Sequence, residues 1–588
     1  MTIPINKAIG IQSKLPLQVL DFLQSKDITQ EQIAELQETL KNLSIEDIAR
    51  SRAATQQVLI QTSENPSPVK IHNTQNDKEF LYAINPANGE ILEKISCSTP
   101  DEVKSKVGFA KEAFPMWSKL PIEARIGYIK NIYQIIVQRK DHIAEIITKN
   151  NGKPLAESYL TDIAATLQIM DYFIKNGSKL LSDKSIPLGL LYPTTKSFLS
   201  YSDPYGTVAI IQPWNYPFYL PIVAITKGLL TGNTVVFKPS ENTPLVGKLI
   251  EEILTEAKLP NGVANVVYGD GSIGEVLTSQ NIDKVIFTGS VNVGKKIAAK
   301  CGEKLIPVGL ELGGKDPAIV LRDTNIDYAV KGIWWGALTN SGQACASIER
   351  VYVDSSIHDE FVKKLTEATE KLKIGNGFDD DPDMGPVINE RQLRIIEDHV
   401  NDALSKGAIL HTGGQRLSRE GLFFAPTVLS NVDHTMKIMI DESFAPVIPV
   451  MKFNTIEEAI KLANDTRYGL SASVWTADKK TGKEIARSLS CGTVWINNSL
   501  FQQAHPACPW IGYKESGYGG ASIYDFVKPK HISIDKGSIP LIRTHNPWWF
   551  PYKGKSKTFA SLIDVMHGKD LKTRLKAVGS ILYSFVKR

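Results

Sequence analysis

The chain reads as an α/β protein whose body is built on parallel sheets covered by helices on both faces, and three observations predict this. From Gly206 onward short apolar runs follow one another: Val208-Ala209-Ile210-Ile211, Thr234-Val235-Val236-Phe237, Ala264-Asn265-Val266-Val267 and Lys284-Val285-Ile286-Phe287. Helical segments such as Leu245 to Lys258 separate these runs. A second series extends from Pro317 to about Asn498, with Ala318-Ile319-Val320-Leu321, Arg350-Val351-Tyr352-Val353 and Val447 to Met451. Strands that are apolar on both faces and alternate with helices are what a doubly covered parallel sheet requires, because each crossover lays a helix on one face.

Ahead of these series the pattern is helical. The first 60 or so residues read as helix, with Thr29 as N-cap before Gln30-Glu31-Gln32 and apolar positions at Ile33, Leu36 and Leu40. Gln61 to Asp77, rich in Ser, Pro and Asn, reads as a linker. Between Phe80 and about Leu180 long helical patterns dominate, among them Asp101 to Trp117 and Glu123 to Lys149. A chain of 588 residues with 42% hydrophobic content is long enough for two or three cores.

Composition narrows the function. No apolar stretch reaches the roughly 18 residues that span a bilayer, and Met1 to Lys14 lacks the basic-then-apolar build of a secretory signal, so a cytoplasmic protein is expected. The five cysteines, Cys97, Cys301, Cys345, Cys491 and Cys508, are odd in number and widely spaced, which fits reduced thiols and offers no zinc spacing. Residues 541 to 588 hold ten Lys/Arg against two Asp, while the remainder carries a net charge of −4, so the body suggests no nucleic-acid groove.

Five segments carry candidate chemistry, each with an ordinary alternative. Phe287-Thr288-Gly289-Ser290-Val291-Asn292-Val293-Gly294 lies where a strand hands over to a helix, so helix N-terminal amides would face a pyrophosphate; it also fits a plain strand-to-helix turn. Lys238-Pro239-Ser240-Glu241 ends a buried strand with a cation and an anion, either ligands for ribose hydroxyls or a solvated pair. Gln212-Pro213-Trp214-Asn215-Tyr216-Pro217 holds an Asn between prolines and aromatics, as an oxyanion donor or as a turn former. Glu311-Leu312-Gly313-Gly314-Lys315 sets a carboxylate on a Gly-Gly turn, a base or a surface group. Asn340-Ser341-Gly342-Gln343-Ala344-Cys345-Ala346-Ser347 approaches a thiol through small residues, a nucleophile or a buried packing cysteine.

Taken in chain order, and joined by Asp441-Glu442-Ser443-Phe444-Ala445-Pro446, these segments make the chain resemble the aldehyde dehydrogenase superfamily over about residues 80 to 535. The resemblance implies a Rossmann-like cofactor-binding domain, an α/β catalytic domain and a small β oligomerisation arm. The implied boundaries are a helical extension and linker at 1–77, the NAD-binding domain at 78–310 with arm strands near 190–204, the catalytic domain at 311–515, the arm at 516–538 and a basic extension at 539–588. It implies NAD(P)-dependent oxidation of an aldehyde to a carboxylic acid, with Cys345 as nucleophile, Asn215 and the Cys345 amide on the oxyanion, and Glu311 activating the hydrolytic water. Trp214, Lys238, Ser240, Glu241, Gly289, Ser290, Gly294, Glu442 and Phe444 would hold the cofactor, with Glu241 favouring NAD while NADP stays admissible. No metal is expected.

Further expectations follow from the resemblance. Ser197 to Asp203 and Asp525 to Asp535 would pair as arm strands of a homodimer or homotetramer. A semialdehyde with a dedicated metabolic role is an alternative substrate. A non-catalytic nucleotide-binding scaffold is the rival reading, supported by Ala445 in place of the usual Gly and by Pro509-Trp510-Ile511-Gly512 in place of Pro-Phe-Gly-Gly. Cofactor-free thioester hydrolysis would leave Lys238, Glu241 and Ser290 unexplained.

The basic tail is separate. Asn546-Pro547-Trp548-Trp549-Phe550-Pro551-Tyr552 precedes a helix with apolar Leu571, Leu575, Val578, Leu582 and Phe585, and Lys569, Lys572, Arg574 and Lys576 lie mostly off that face. Its apolar face would pack on the enzyme itself or a sister subunit, or make a peripheral membrane contact.

Overall fold

The computed structural model describes residues 79–188, 195–379, 381–500, 506–508, 510–520, 522–535 and 551–586. The expected N-terminal helix with Thr29 as cap, the 61–77 linker, Pro509 and the aromatic cluster up to Phe550 lie outside the described residues.

Two large sheets organise the body. In the first, the strands lie in the order Gly517–Tyr518, Val308–Glu311, Lys284–Thr288, Thr207–Ile211, Thr234–Lys238, Ala264–Val266. All neighbours are parallel except the first pair. The chain enters at Thr207–Ile211, winds outward to Ala264–Val266, then crosses to Lys284–Thr288 on the other side. The reversal between Ile211 and Thr288 opens a crevice at the carboxyl ends of the strands, where open α/β sheets take ligands.

The second sheet runs Ile409–Thr412, Thr427–Ser430, Val447–Phe453, Ile348–Asp354, Asp316–Val320, Ser471–Trp475, Thr493–Ile496. Only its first pair is antiparallel. Its central strands are buried along their whole length, the mark of a sheet covered on both faces. A third, antiparallel sheet joins Val527–Asp535, Thr195–Pro204 and Lys184–Ile186. Asp525 itself lies in the short 3-10 turn Ile523–Phe526 ahead of the strand, capped by Ser522, and Lys184–Ile186 adds a strand that the sequence pattern did not announce.

The helical region positions the first sheet. Pro100–Lys119 starts with a capping box, Thr99 accepting from Glu102 and Glu102 from the Thr99 amide, and buries Val103, Val107, Ala110, Ala113 and Trp117 along one stripe. The single helix expected over Glu123 to Lys149 is two, Ile122–Gln138 and Lys140–Asn151, joined at Arg139 with φ −97° and ψ 10°. The guanidinium of Arg139 sits on Glu252 and Glu256 at 3.0 and 3.2 Å. The change of direction brings Asn150 Oδ1 to the Leu245 amide at 3.1 Å and Asn151 Nδ2 to the Trp214 carbonyl at 2.8 Å. The break thus fastens the helices to the loops that carry the candidate site.

Candidate active site

The crevice is a cleft of about 1000 Å³. Trp214, Asn215, Lys238, Ser240, Glu241, Gly289, Ser290, Cys345, Glu442 and Phe444 all line it. Residues that the sequence separates by more than two hundred positions therefore share one space. Gly294 is not in its walls: a Cβ there would meet Leu312 at 2.6 Å, so this glycine sets the close packing of the helix Val291–Gly302 on the sheet.

One wall comes from the first sheet. Lys238 ends its strand buried, its ammonium donating to the Pro239 carbonyl at 3.1 Å and lying 3.7 Å from the Glu241 carboxylate, which is half exposed. Burial lowers the Lys238 pKa, and Glu241 works against that. Ser290 caps Val291–Gly302 without a side-chain cap bond, leaving its hydroxyl and the first helix amides to the cleft. At Gly289 a Cβ would strike the Phe287 ring at 2.5 Å, so the turn closes only with glycine. Gln212 Oε1 and Asn215 Oδ1, both in the cleft wall, are buried without a protein partner. Buried polar groups are rarely left so, and the residues that carry them line a space sized for a ligand. A helix N-terminus, a buried cation and unpartnered amides fit a dinucleotide with its pyrophosphate and ribose hydroxyls.

The opposite wall carries the thiol. Cys345 lies just ahead of the strand Ile348–Asp354 and is reached through three consecutive left-handed residues, Asn340, Ser341 and Gly342, with φ of 51°, 56° and 71°. Two of these are not glycine, at a cost of about 1–3 kcal/mol each. Hydrogen bonds hold the turn. The Asn340 amide donates to Glu157 at 3.0 Å, Asn340 Nδ2 donates to the Asn215 carbonyl at 2.9 Å, and Ser341 Oγ donates to the Gly385 carbonyl at 2.8 Å. Gly342 has no room for a side chain, since a Cβ would lie 1.9 Å from the Ala445 carbonyl.

The Asn215 backbone is fixed from a second side. Lys153 Nζ donates to its carbonyl at 2.8 Å and to Asp162 at 2.7 Å, with both side chains of that pair fully buried. Asp162 in turn accepts from the amides of Phe218 and Tyr219, each at 3.2 Å. The loops of Asn215 and Cys345 are therefore parts of one buried network.

Glu311 ends the strand Val308–Glu311, and both of its carboxylate oxygens are buried with no hydrogen-bond partner. Burial raises its pKa well above the carboxylate range; Lys227 opposes the shift and Asp525 adds to it. Burial likewise brings the Lys227 ammonium down to about 8. The Gly313-Gly314 turn that follows threads a narrow gap: a Cβ on Gly313 would meet the Glu442 carboxylate at 2.4 Å, and one on Gly314 the Cys345 carbonyl at 2.3 Å. The Cys345 thiol is pushed up by burial and then by the carboxylates Asp316, Glu311 and Glu442, so it keeps its proton at rest.

Glu442 accepts from the Gly314 amide at 2.9 Å, and burial next to Glu349 pushes it up to about 8. Phe444 meets Trp214 edge to face, with centroids 5.5 Å apart. Glu349 accepts from the amides of Ser443 and Phe444 at 2.7 and 2.9 Å and from Lys315 Nζ at 2.6 Å. The Ala445 departure costs the backbone nothing here: the left-handed residue is Phe444, at φ 51°, and Ala445 has no positive φ.

Nothing in the sequence pattern singles out Glu157, Lys153, Asp162 or Glu349, or gives Asn340 a role of its own. Lys153 stood in Gly152-Lys153-Pro154, which looks like an exposed turn; the only signal for Asn340 was its place at the head of the thiol segment. The five cysteines are free. Among the described residues no cluster of His, Cys, Asp and Glu could hold a metal ion, and no helix is long and apolar enough to cross a membrane.

The chain is 34% identical over 496 residues to a 4,4'-diapolycopene aldehyde oxidase of Methylomonas, covering 83% of this chain and 92% of that one. It is 33% identical over 465 residues to an NADP(+) succinate-semialdehyde dehydrogenase of Escherichia coli, covering 78% and 95%. An NAD+ complex of an aldehyde dehydrogenase from Bacillus cereus superposes with a TM-score of 0.74 at 32% identity, over 78% of this chain and 93% of that one. Residues 72–530 match the model of the aldehyde dehydrogenase family. The chain therefore belongs to the aldehyde dehydrogenase family, oxidoreductases that act on the aldehyde group with NAD or NADP as acceptor.

Proposed function

We propose that the protein oxidises an aldehyde to its carboxylic acid through a covalent intermediate on Cys345. The observation that carries this reading is the shared network: Asn340 and Lys153 tie the Asn215 loop to the thiol turn, while Glu311 stands nearby with an unpartnered carboxylate. The Cys345 thiol releases its proton to solvent and its sulfur attacks the carbonyl carbon, and the oxygen of the thiohemiacetal takes hydrogen bonds from the Asn215 amide and the Cys345 backbone N–H. A bound nicotinamide dinucleotide supplies the hydride acceptor. The resulting thioester is attacked by water that loses its proton to the ionised Glu311; the C–S bond breaks, Glu311 returns that proton to the departing sulfur, and the acid leaves with the thiol restored.

Lys238 and Glu241 would bind the adenosine ribose hydroxyls, Ser290 with the helix amides the pyrophosphate, and Glu442 with Phe444 the nicotinamide half. Glu241 supports NAD over NADP, since its carboxylate would repel a 2'-phosphate. Tyr216, Tyr219 and Trp495, with Trp335 and Trp510, form an apolar cluster against which Cys345 packs. This cluster supports an apolar aldehyde. A semialdehyde is the second reading, favoured by the name of the Escherichia coli relative. We place the protein in the cytoplasm as a homo-oligomer joined through the arm, with a peripheral membrane contact at its C-terminal helices.

The test is the absorbance of NADH or NADPH when protein is mixed with either cofactor and a panel of apolar aldehydes and semialdehydes. Turnover is expected, faster with NAD, and Cys345→Ala is expected to abolish it while NAD still binds. Dehydrogenase activity retained in Cys345→Ala would remove the mechanism.

A further inference from the structure

The C-terminal hairpin consists of helices Ser556–His567 and Leu571–Val586. Its two helices meet through a modest face: Thr573, Ala577 and Ile581 of the second helix are its least exposed described residues, and Ser561 Oγ donates to Ser580 Oγ at 3.0 Å. The larger apolar stripe faces outward. Leu571, Leu575, Val578 and Leu582 fall on one side of a 3.6-residue helix and are 71%, 61%, 39% and 61% exposed, and Ile563 of the first helix is 60% exposed. The exposed cations Lys572 and Arg574 flank that stripe on opposite sides, with Lys569 and Lys576 farther round.

We infer that this hairpin is a docking element for an anionic lipid surface, entered by the Leu571-Leu575-Val578-Leu582 stripe while Lys572 and Arg574 reach the phosphate headgroups. It rests on the peripheral contact proposed above and assigns its face and its lipid class. Charge selects the partner: residues 541–588 carry ten Lys/Arg against two Asp and no Glu, so two such hairpins repel each other, whereas an anionic headgroup layer attracts either one. Length selects the mode, since Leu571–Val586 has 16 residues and is too short and too charged to span a bilayer. Lys and Arg stems bury along the stripe while their charged ends reach the headgroups, the geometry of a helix lying in the interface.

The experiment is sedimentation of the full chain with vesicles of phosphatidylcholine alone or mixed with phosphatidylglycerol, together with light-scattering mass in the absence of lipid. The protein is expected to pellet with the mixed vesicles, to leave them as salt is raised, and to remain in solution with phosphatidylcholine alone. Leu575→Glu and Leu582→Glu, both at exposed positions, are each expected to weaken binding by about tenfold or more. Neither variant should change NADH production from a short, water-soluble aldehyde, so loss of docking and loss of the dehydrogenase reading are told apart. Failure of the wild-type chain to pellet with mixed vesicles at low salt overturns the inference, as does equal binding to both vesicle types or by the two variants. A fall in oligomer mass in Leu575→Glu would show that a second copy covers the stripe and would also overturn it.

Discussion

The two walls of the cleft use their polar groups in opposite ways. The wall from the first sheet leaves Gln212 Oε1 and Asn215 Oδ1 buried and unpartnered; both oxygens of Glu311 are unpartnered too, but Glu311 lies behind the lining residues Leu312 and Gly313 and is not itself in the wall. The wall that carries Cys345 spends its groups on the protein: Asn340 bonds to Glu157, Asn215 and Gln343, Gln343 Oε1 accepts from the Ile388 amide at 2.9 Å, and Ser341 bonds to Gly385. A surface that must receive a ligand keeps unmet hydrogen-bonding capacity, whereas a strained turn that must aim one atom is held by many bonds. In the proposed mechanism binding and aiming are divided between the sheets, and Asn215 belongs to both, its carbonyl tied to the thiol wall and its amide left to the cleft.

The largest expected effect is at the base behind the receiving wall. Glu311→Gln keeps shape but removes the proton acceptor, so one NADH per site should appear in a burst and steady turnover should then fall by about 10²–10⁴-fold, as read by stopped-flow absorbance. Steady turnover at the wild-type rate would assign the base to another group. A smaller effect is expected on the aiming wall. Asn340→Ala removes the links to Asn215 and Gln343 and should lower kcat by about 10–100-fold while dinucleotide affinity, measured by titration, stays unchanged. Equal losses in kcat and in affinity would show that the two walls do not divide the work.

The smallest effect concerns stability. Glu442 has an ordinary value of 4.5 and stands at about 8 in the fold, because burial beside Glu349 disfavours its charge. The folded protein therefore holds a proton that the unfolded chain gives up. The stabilisation is complete below about pH 4.5 and is lost as pH rises through about 8. The Tm of the cofactor-free protein should fall across that window, and Glu442→Gln should flatten the fall; an unchanged slope would place the titration elsewhere.

Much of this was legible in the sequence because it is local. The apolar runs after Gly206 became the strands Thr207–Ile211, Thr234–Lys238 and Lys284–Thr288, since a strand buried on both faces needs an unbroken apolar run. Cys345 and Glu311 were visible from their small neighbours. The Gly313-Gly314 pair has a specific cause in the structure, where a side chain at either position would collide with Glu442 or with the Cys345 backbone. The departure at Ala445 looked costly in sequence and is not, because the left-handed backbone falls one residue earlier.

Other features needed the tertiary structure because nothing periodic announces them. Lys153 and Asp162 look like surface charges until they are found fully buried beneath Asn215, and a buried ion pair is specified by distant segments meeting. At the break, Arg139 pairs with Glu252 and Glu256, more than a hundred residues away. The tail makes the same point: its sequence shows an apolar stripe and a basic flank, but only the packing of Ser556–His567 on the Thr573-Ala577-Ile581 side reveals which face stays outward. The sequence by itself determined the strands of the two large sheets, the family and the candidates for the reactive groups. The tertiary structure decided which charges are buried, which polar atoms lack partners and which apolar face is exposed, because those properties depend on what surrounds a residue in space.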